Sequence, residues 1–317
     1  MVENSKSQLL KKAVYVVLLN LIFILTVYIA YQSLDFENFN FVWDEISIPW
    51  FISSIVAFIL FYILQSMAWY SVLGMYSEKK KYILSTTFLA SQVFKYLPSS
   101  IFSFSFRFIF VKRFGIGAKA VTKAILLENG FQIYTGFIFF CLFFGVYRPV
   151  FLLLVPLLIC MIYLGFYLAV QDKSYVKKVP VVGKMCNFTF FSYTRIHLIL
   201  LLYLSSWLLS GLSIYLFRYS VSGQSDNFFN ISAAQALSYS ASILAVFSPG
   251  GIGVKELVLQ IGRISDNLIL NWRVITVLID IFVSAIAIGL IYGVSTKTKI
   301  VSISPKHNGT AKKALEE

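Results

Sequence analysis

Five ionisable residues stand inside or at the edge of long apolar runs: Lys95, Arg107, Glu128, Lys255 and Glu256. Placing one such charge at the centre of a membrane-spanning helix costs about 2.5–3.5 kcal/mol, so each needs a partner or a water-filled cavity. Lys95 and Arg107 suit a phosphate, Arg as a planar two-point fork and Lys as a point charge. Glu128 and Glu256 suit the complementary task, pairing with those cations in an empty site or carrying a proton during transport.

Most of these charges lie near helix breakers. In FSPGGIGVKE, residues 247–256, Pro249 is expected to end one helical arm, while Gly250, Gly251 and Gly253 let the chain turn. Several backbone amides there would lack side-chain cover, and the arm that follows would turn the positive end of its dipole toward them. An anion fits such an end. In KYLPSS, residues 95–100, Pro98 makes the break, Ser99 and Ser100 add hydroxyl donors, and Lys95 precedes it by about one turn. The two breaks are expected to form two halves of one anion site. A plain kink or packing role is the simpler alternative for each Pro, Gly and Ser.

The elements that must carry these residues are set by composition. The 317-residue chain is 58% apolar and 13% charged, with a mean hydropathy of +0.79, which calls for a bilayer. Apolar runs fall at 13–31, 50–75, 83–111, 124–147, 150–170, 197–219, 231–264 and 274–294. Runs of about 20 residues are helix-length, and the alternating pattern of a membrane barrel is absent. The fold class is therefore an all-α polytopic membrane protein. No small-x-small cleavage site follows the first run, so it reads as a retained anchor.

Charge bias sets the topology. Lys6, Lys11 and Lys12 place the N-terminus in the cytoplasm, and the loop with Asp35, Glu37, Asp44 and Glu45 lies outside. Lys79, Lys80 and Lys81 are inside again, yet so must be the loop with Lys112, Arg113, Lys119 and Lys123. The run between them must enter and leave on one face, as a hairpin broken at Pro98. Its arms, about 13 residues or 20 Å each, would reach the midplane. The same counting makes 231–264 a hairpin from the outer face, broken at SPGG. Six spans and two re-entrant hairpins result, as an inverted repeat of 13–147 and 150–295 within one membrane domain, 1–300, followed by a basic cytoplasmic tail, 301–317. Broken helices meeting at the midplane of an inverted repeat are a known way to build a transporter site. Eight plain crossings with one misplaced basic loop is the alternative.

The formal charge of +13 suits anionic headgroups and inner loops, and no nucleic acid is expected. Cys141, Cys160, Cys186, His197 and His307 lack ligand or triad spacing, so no metal, cofactor or His-based chemistry is expected. The abundant Phe and Tyr, with Trp43, Trp50 and Trp272, read as lipid-facing surface and interface belts. Asp44 and Glu45 beside Trp43 would serve a membrane glycosyltransferase acting on a polyprenyl phosphate, although a solvated acidic loop explains them more simply.

SQVFKYLPSSIFSFSFR (91–107), FGIGAKAVTKAILLE (114–128) and SPGGIGVKE (248–256) together resemble the lysylphosphatidylglycerol synthase transmembrane-region family, also described as flippase-like. The resemblance implies a multi-pass protein of the inner cell membrane, and the charge bias puts both termini in the cytoplasm. It would bind and translocate an anionic phospholipid or lipid-linked saccharide, and an oligomer is compatible with it. A non-transporting accessory subunit of envelope assembly is a further alternative. Two departures stand out. Ser99 follows Pro98 where the family often has Gly, and the soluble aminoacyl-transferring domain of bifunctional members is not in this sequence. The resemblance therefore implies a stand-alone member that is not itself an aminoacyl-transferring enzyme.

Overall fold

The computed structural model describes residues 46–77, 83–97, 101–146, 148–156, 193–223, 227–245 and 248–303. The first run at 13–31, the loop with Trp43, Asp44 and Glu45, the break at Pro98, Ser99 and Ser100, most of 150–170 and the tail from 304 lie outside them. The described residues are helical, with no strand among them. Their helices are α1 (Ile48–Leu73), α2 (Ile83–Ala90), α3 (Ile101–Arg113), α4 (Ala118–Gly145), α5 (Tyr193–Ser222), α6 (Phe228–Leu244), α7 (Val254–Leu259) and α8 (Asp266–Ile303). Short 3₁₀ turns follow α2 at Val93–Tyr96, precede α7 at Pro249–Gly251 and follow it at Gln260–Gly262.

Among the described residues, four stretches are long and apolar enough to cross a membrane: Ile48–Leu73, Ala118–Gly145, Thr194–Ser222 and Asp266–Gly293. The 26 residues of α1 reach about 39 Å at 1.5 Å each, more than a hydrocarbon core needs. Pro49 fits its first turn, where a missing N–H costs nothing. Ile52, Val56, Leu60, Ile63 and Met67 recur every three or four residues as its exposed stripe. Phe58, Tyr62, Gln65 and Trp69 are buried on the other side. That buried side packs chiefly on α5, where Ser54 Oγ donates to the Ser213 carbonyl at 2.7 Å and Gln65 Nε2 to Ser206 Oγ at 2.8 Å. In lipid such polar and small-residue contacts hold helices together, since aliphatic burial gains little.

The third and seventh apolar runs are both broken. In the seventh, a Cβ on Gly262 would meet Ala234 Cβ at 3.0 Å and Ile231 Cα at 3.6 Å, so α7 and its trailing turn come back beside the start of α6. This is a hairpin with unequal arms. Its first arm ends at Leu244 rather than at Pro249, and Pro249 instead opens the 3₁₀ turn. Gly250, Gly251 and Gly253 have φ of 60°, 74° and 87°, a left-handed path that L side chains resist. In the third run, Phe110 shares an apolar cluster with Ala287 and Ile291 of α8, Ile83 packs against that cluster, and the Phe110 ring meets Tyr292. The turn between Ile83 and Phe110, at Lys95 and Tyr96, meets α8 further back, at Asp280. This hairpin therefore enters from the C-terminal end of α8, and the other hairpin from the opposite end. The first leans on α8 and the second on α4.

The aromatic residues depart from the expected belt. Trp50 is 44% exposed, as the interface reading requires, but Trp272 is 3% exposed and packs between Phe58 and Phe217, at 5.4 and 5.3 Å between ring centroids. α8 begins at Asp266, so Trp272 lies nearly two turns inside it rather than at its end. Phe61, Tyr62, Trp69, Tyr203 and Trp207 are likewise buried in the core. Rings interlock by stacked and edge-on contacts, a packing gain that lipid tails cannot match.

Candidate functional site

Lys95 leaves the 3₁₀ turn at the tip of the first hairpin, and its ammonium lies 2.8 Å from Asp280 Oδ2 on α8. It also donates to Tyr62 Oη at 3.1 Å and to Gln92 Oε1 at 3.3 Å. Tyr62 Oη and Tyr96 Oη donate to the two oxygens of the same Asp280 carboxylate. On the returning arm, Arg107 Nη1 donates to Glu128 Oε2 of α4 at 2.8 Å, and Gln132 holds the other Glu128 oxygen. The Arg107 guanidinium is surrounded by the rings of Trp69, Phe88 and Phe104, about 5 Å from each centroid. Its Nε has no hydrogen-bond partner among the described residues.

The second hairpin repeats this arrangement with the signs exchanged. Glu256 on the returning arm meets Arg273 of the helix that follows, Nε to Oε1 at 3.1 Å, although the N–H is out of line for a hydrogen bond. The tips touch one another. The Tyr96 ring fills the space a Gly250 side chain would need, the Arg273 guanidinium lies 5.5 Å from that ring, and Arg273 Nη2 donates to the Gly250 carbonyl at 2.7 Å.

The SPGG amides do not behave as their sequence suggests. Gly251 N–H donates to the Ser248 carbonyl and Ile252 N–H to that of Pro249, both at 3.1 Å. Gly253 N–H donates to Glu256 Oε2 at 2.7 Å. A Glu three residues past a helix start reaches back to cap it, and here that cap takes an amide expected to face an anion. The Gly250 carbonyl is taken in turn by Arg273, so these groups of the tip are engaged within the protein and the cations nearby come from side chains.

Charged side chains surround a cavity between the hairpins that is open to its surroundings. Lys95, Arg107, Glu128, Gly250, Gly251 and Lys255 all line it. Pro249 and Gly253 are buried in the turn behind, and Glu256 faces a smaller cavity shared with Arg273 and Thr276. Lys255 is distinct among the cations. It is 5% exposed, its ammonium sits 3.6 Å above the centre of the Tyr239 ring, and it makes no ion pair with any described carboxylate. Lys95, Arg107, Lys255 and Arg273 are four cations against the three carboxylates Glu128, Glu256 and Asp280, which leaves one positive charge over. A bound anion is one way to offset the cost of burying a cation that has no carboxylate partner.

Asp280, Arg273, Tyr62, Tyr96 and Tyr239 join the cluster without having been singled out from the sequence. Asp280 was detectable, as the lone charge in the run 274–294. Arg273 falls one residue outside that run and so reads as a loop cation.

Residues 13–262, most of the chain, match the family described as Lysylphosphatidylglycerol synthase TM region. No curated protein and no solved structure matches.

Proposed function

The chain belongs to the lysylphosphatidylglycerol synthase transmembrane-region family, a multi-pass membrane protein of lipid handling, and from that premise we propose that it binds an anionic lipid headgroup between its two hairpins and carries it between leaflets. The lipid is an anionic phospholipid or a lipid-linked saccharide. The protein acts in the inner cell membrane with both termini in the cytoplasm, and by binding and transfer rather than by catalysis. The observation that carries this reading is the cavity itself, open and lined by Lys255, a buried cation without a carboxylate partner. A headgroup crossing a bilayer loses its water, and a cavity lined by Lys95, Arg107 and Lys255 replaces that hydration while acyl chains stay in lipid. Two hairpins entering from opposite ends give the cavity a separate wall toward each leaflet.

The test is transfer of a fluorescent anionic lipid between the leaflets of vesicles holding the purified protein. Wild type should transfer it, and Lys255→Gln, Arg107→Ala and Glu256→Ala should slow transfer by about tenfold or more, as loss of a charge-assisted contact implies. No transfer by wild type, or equal transfer by all three variants, refutes the proposal.

A further inference from the structure

Asp280 is deeply buried, with 1% of its side chain exposed, and is absent from the cavity lining, whereas Lys95, which it holds, is 14% exposed and lines the cavity. The ammonium of Lys95 thus stands between a fixed internal anion and the space where an external one would sit. Resting on the anion-site reading above, we infer that Asp280 is a built-in competitor for Lys95: an arriving phosphate takes Lys95 from Asp280 and thereby loosens the tip of the first hairpin on α8.

Three features support the exchange. The carboxylate left behind keeps two donors, Tyr62 Oη and Tyr96 Oη, one on each oxygen, so losing Lys95 does not strand a bare charge. The tip keeps its other ties to α8: Tyr96 Oη stays on Asp280, Val93 N–H donates to Ser284 Oγ at 3.0 Å, and Ser284 Oγ donates to the Leu89 carbonyl at 3.0 Å, so the exchange removes one of several contacts and loosens the tip without detaching it. The second tip is tied to the same helix by Arg273 and touches Tyr96, so movement of one tip is felt by the other. Asp280 is then a positioning residue that trades affinity for mobility. A protein that held its ligand with Lys95 permanently free would bind more tightly and move less.

The experiment titrates detergent-purified protein with dihexanoyl phosphatidylglycerol and, separately, with its deacylated headgroup, glycerophosphoglycerol, reading Kd by calorimetry. Asp280→Asn should bind about tenfold more tightly than wild type, in the ordinary range for coupled sites. Lys95→Met should bind more weakly, and Asp280→Asn combined with Lys95→Met no more tightly than Lys95→Met alone. Tightening with both probes assigns the competition to the phosphate itself, and tightening with the lipid alone to a seated lipid. A purely structural Asp280 would make binding weaker, never tighter. Should Asp280→Asn not fold, hydrogen exchange on wild type decides: the Val93 amide should exchange faster with the lipid probe bound, and unchanged or slower exchange overturns the inference. Wild type that binds, with Asp280→Asn no tighter, overturns the competition but leaves the anion site standing. Wild type that binds neither probe removes both.

Discussion

Arg107 shows what a single charge costs and contributes in this fold. It is 3% exposed, its one ion pair among the described residues is with the fully buried Glu128, and aromatic rings surround the rest of its guanidinium. Removing one partner of a buried pair strands the other, a loss of about 3–5 kcal/mol, whereas replacing both with apolar groups of similar size is often neutral. Arg107→Ala should therefore lower the thermal midpoint in detergent steeply, and Arg107→Met with Glu128→Leu should recover most of it while leaving transfer abolished. If the double variant is as unstable as the single one, the pair is not what holds the two helices. The same reasoning marks the limit of legibility at this scale. Lys95, Arg107, Glu128, Lys255 and Glu256 were readable because an apolar run gives a charge no other excuse, and Asp280 obeyed that rule equally. The pairing was not readable: Lys95 chooses an aspartate 185 positions away, a contact made only by folding.

At the scale of elements, the breaks were legible and their chemistry was not. Pro98 and the SPGG glycines announced two interrupted runs, and the chain turns back at the second as expected. What could not be seen was that Glu256 would cap its own short helix, because the same side chain serves equally as a lone intramembrane charge. The tip geometry yields an ordering among glycines. An alanine at Gly250 would meet both a φ of 60° and the Tyr96 ring, at Gly262 the Ala234 methyl at 3.0 Å with the Asn230 carbonyl and Ile231 Cα at 3.6 Å, and at Gly289 open space on α8. Gly250→Ala should cost about 1–3 kcal/mol from backbone strain alone. Gly262→Ala should cost less, and Gly289→Ala should be neutral or stabilising by up to about 1 kcal/mol from helix propensity. Thermal unfolding of the three variants checks the order, and a harmless Gly250→Ala would show that the two tips do not meet as described.

For the molecule as a whole, the question is whether two hairpins really enter from opposite faces, since the proposed transfer depends on it. Three contacts fix the relation between α4 and α8. Phe143, near the end of α4, packs its ring on Phe228 and Phe229 at the start of α6, 6.0 and 5.4 Å between centroids. α7 and its trailing turn return to the same end of α6, where Gly262 abuts Ala234. α8 starts four residues later, at Asp266. The start of α8 thus shares a face with the end of α4 and lies opposite its start. The charge bias points to the same arrangement, since Lys112, Arg113, Lys119 and Lys123 are expected on the cytoplasmic side. Cysteines placed at Lys119 and Asn267 should therefore react with a membrane-impermeant maleimide from opposite sides of sealed vesicles, Lys119→Cys from the cytoplasmic side and Asn267→Cys from the other. Eight plain crossings would preserve neither relation. With every run crossing once, the loop holding Lys119 would turn to the outer face, and labelling of Lys119→Cys from outside would remove the inverted hairpins and, with them, the two-walled cavity on which transfer rests.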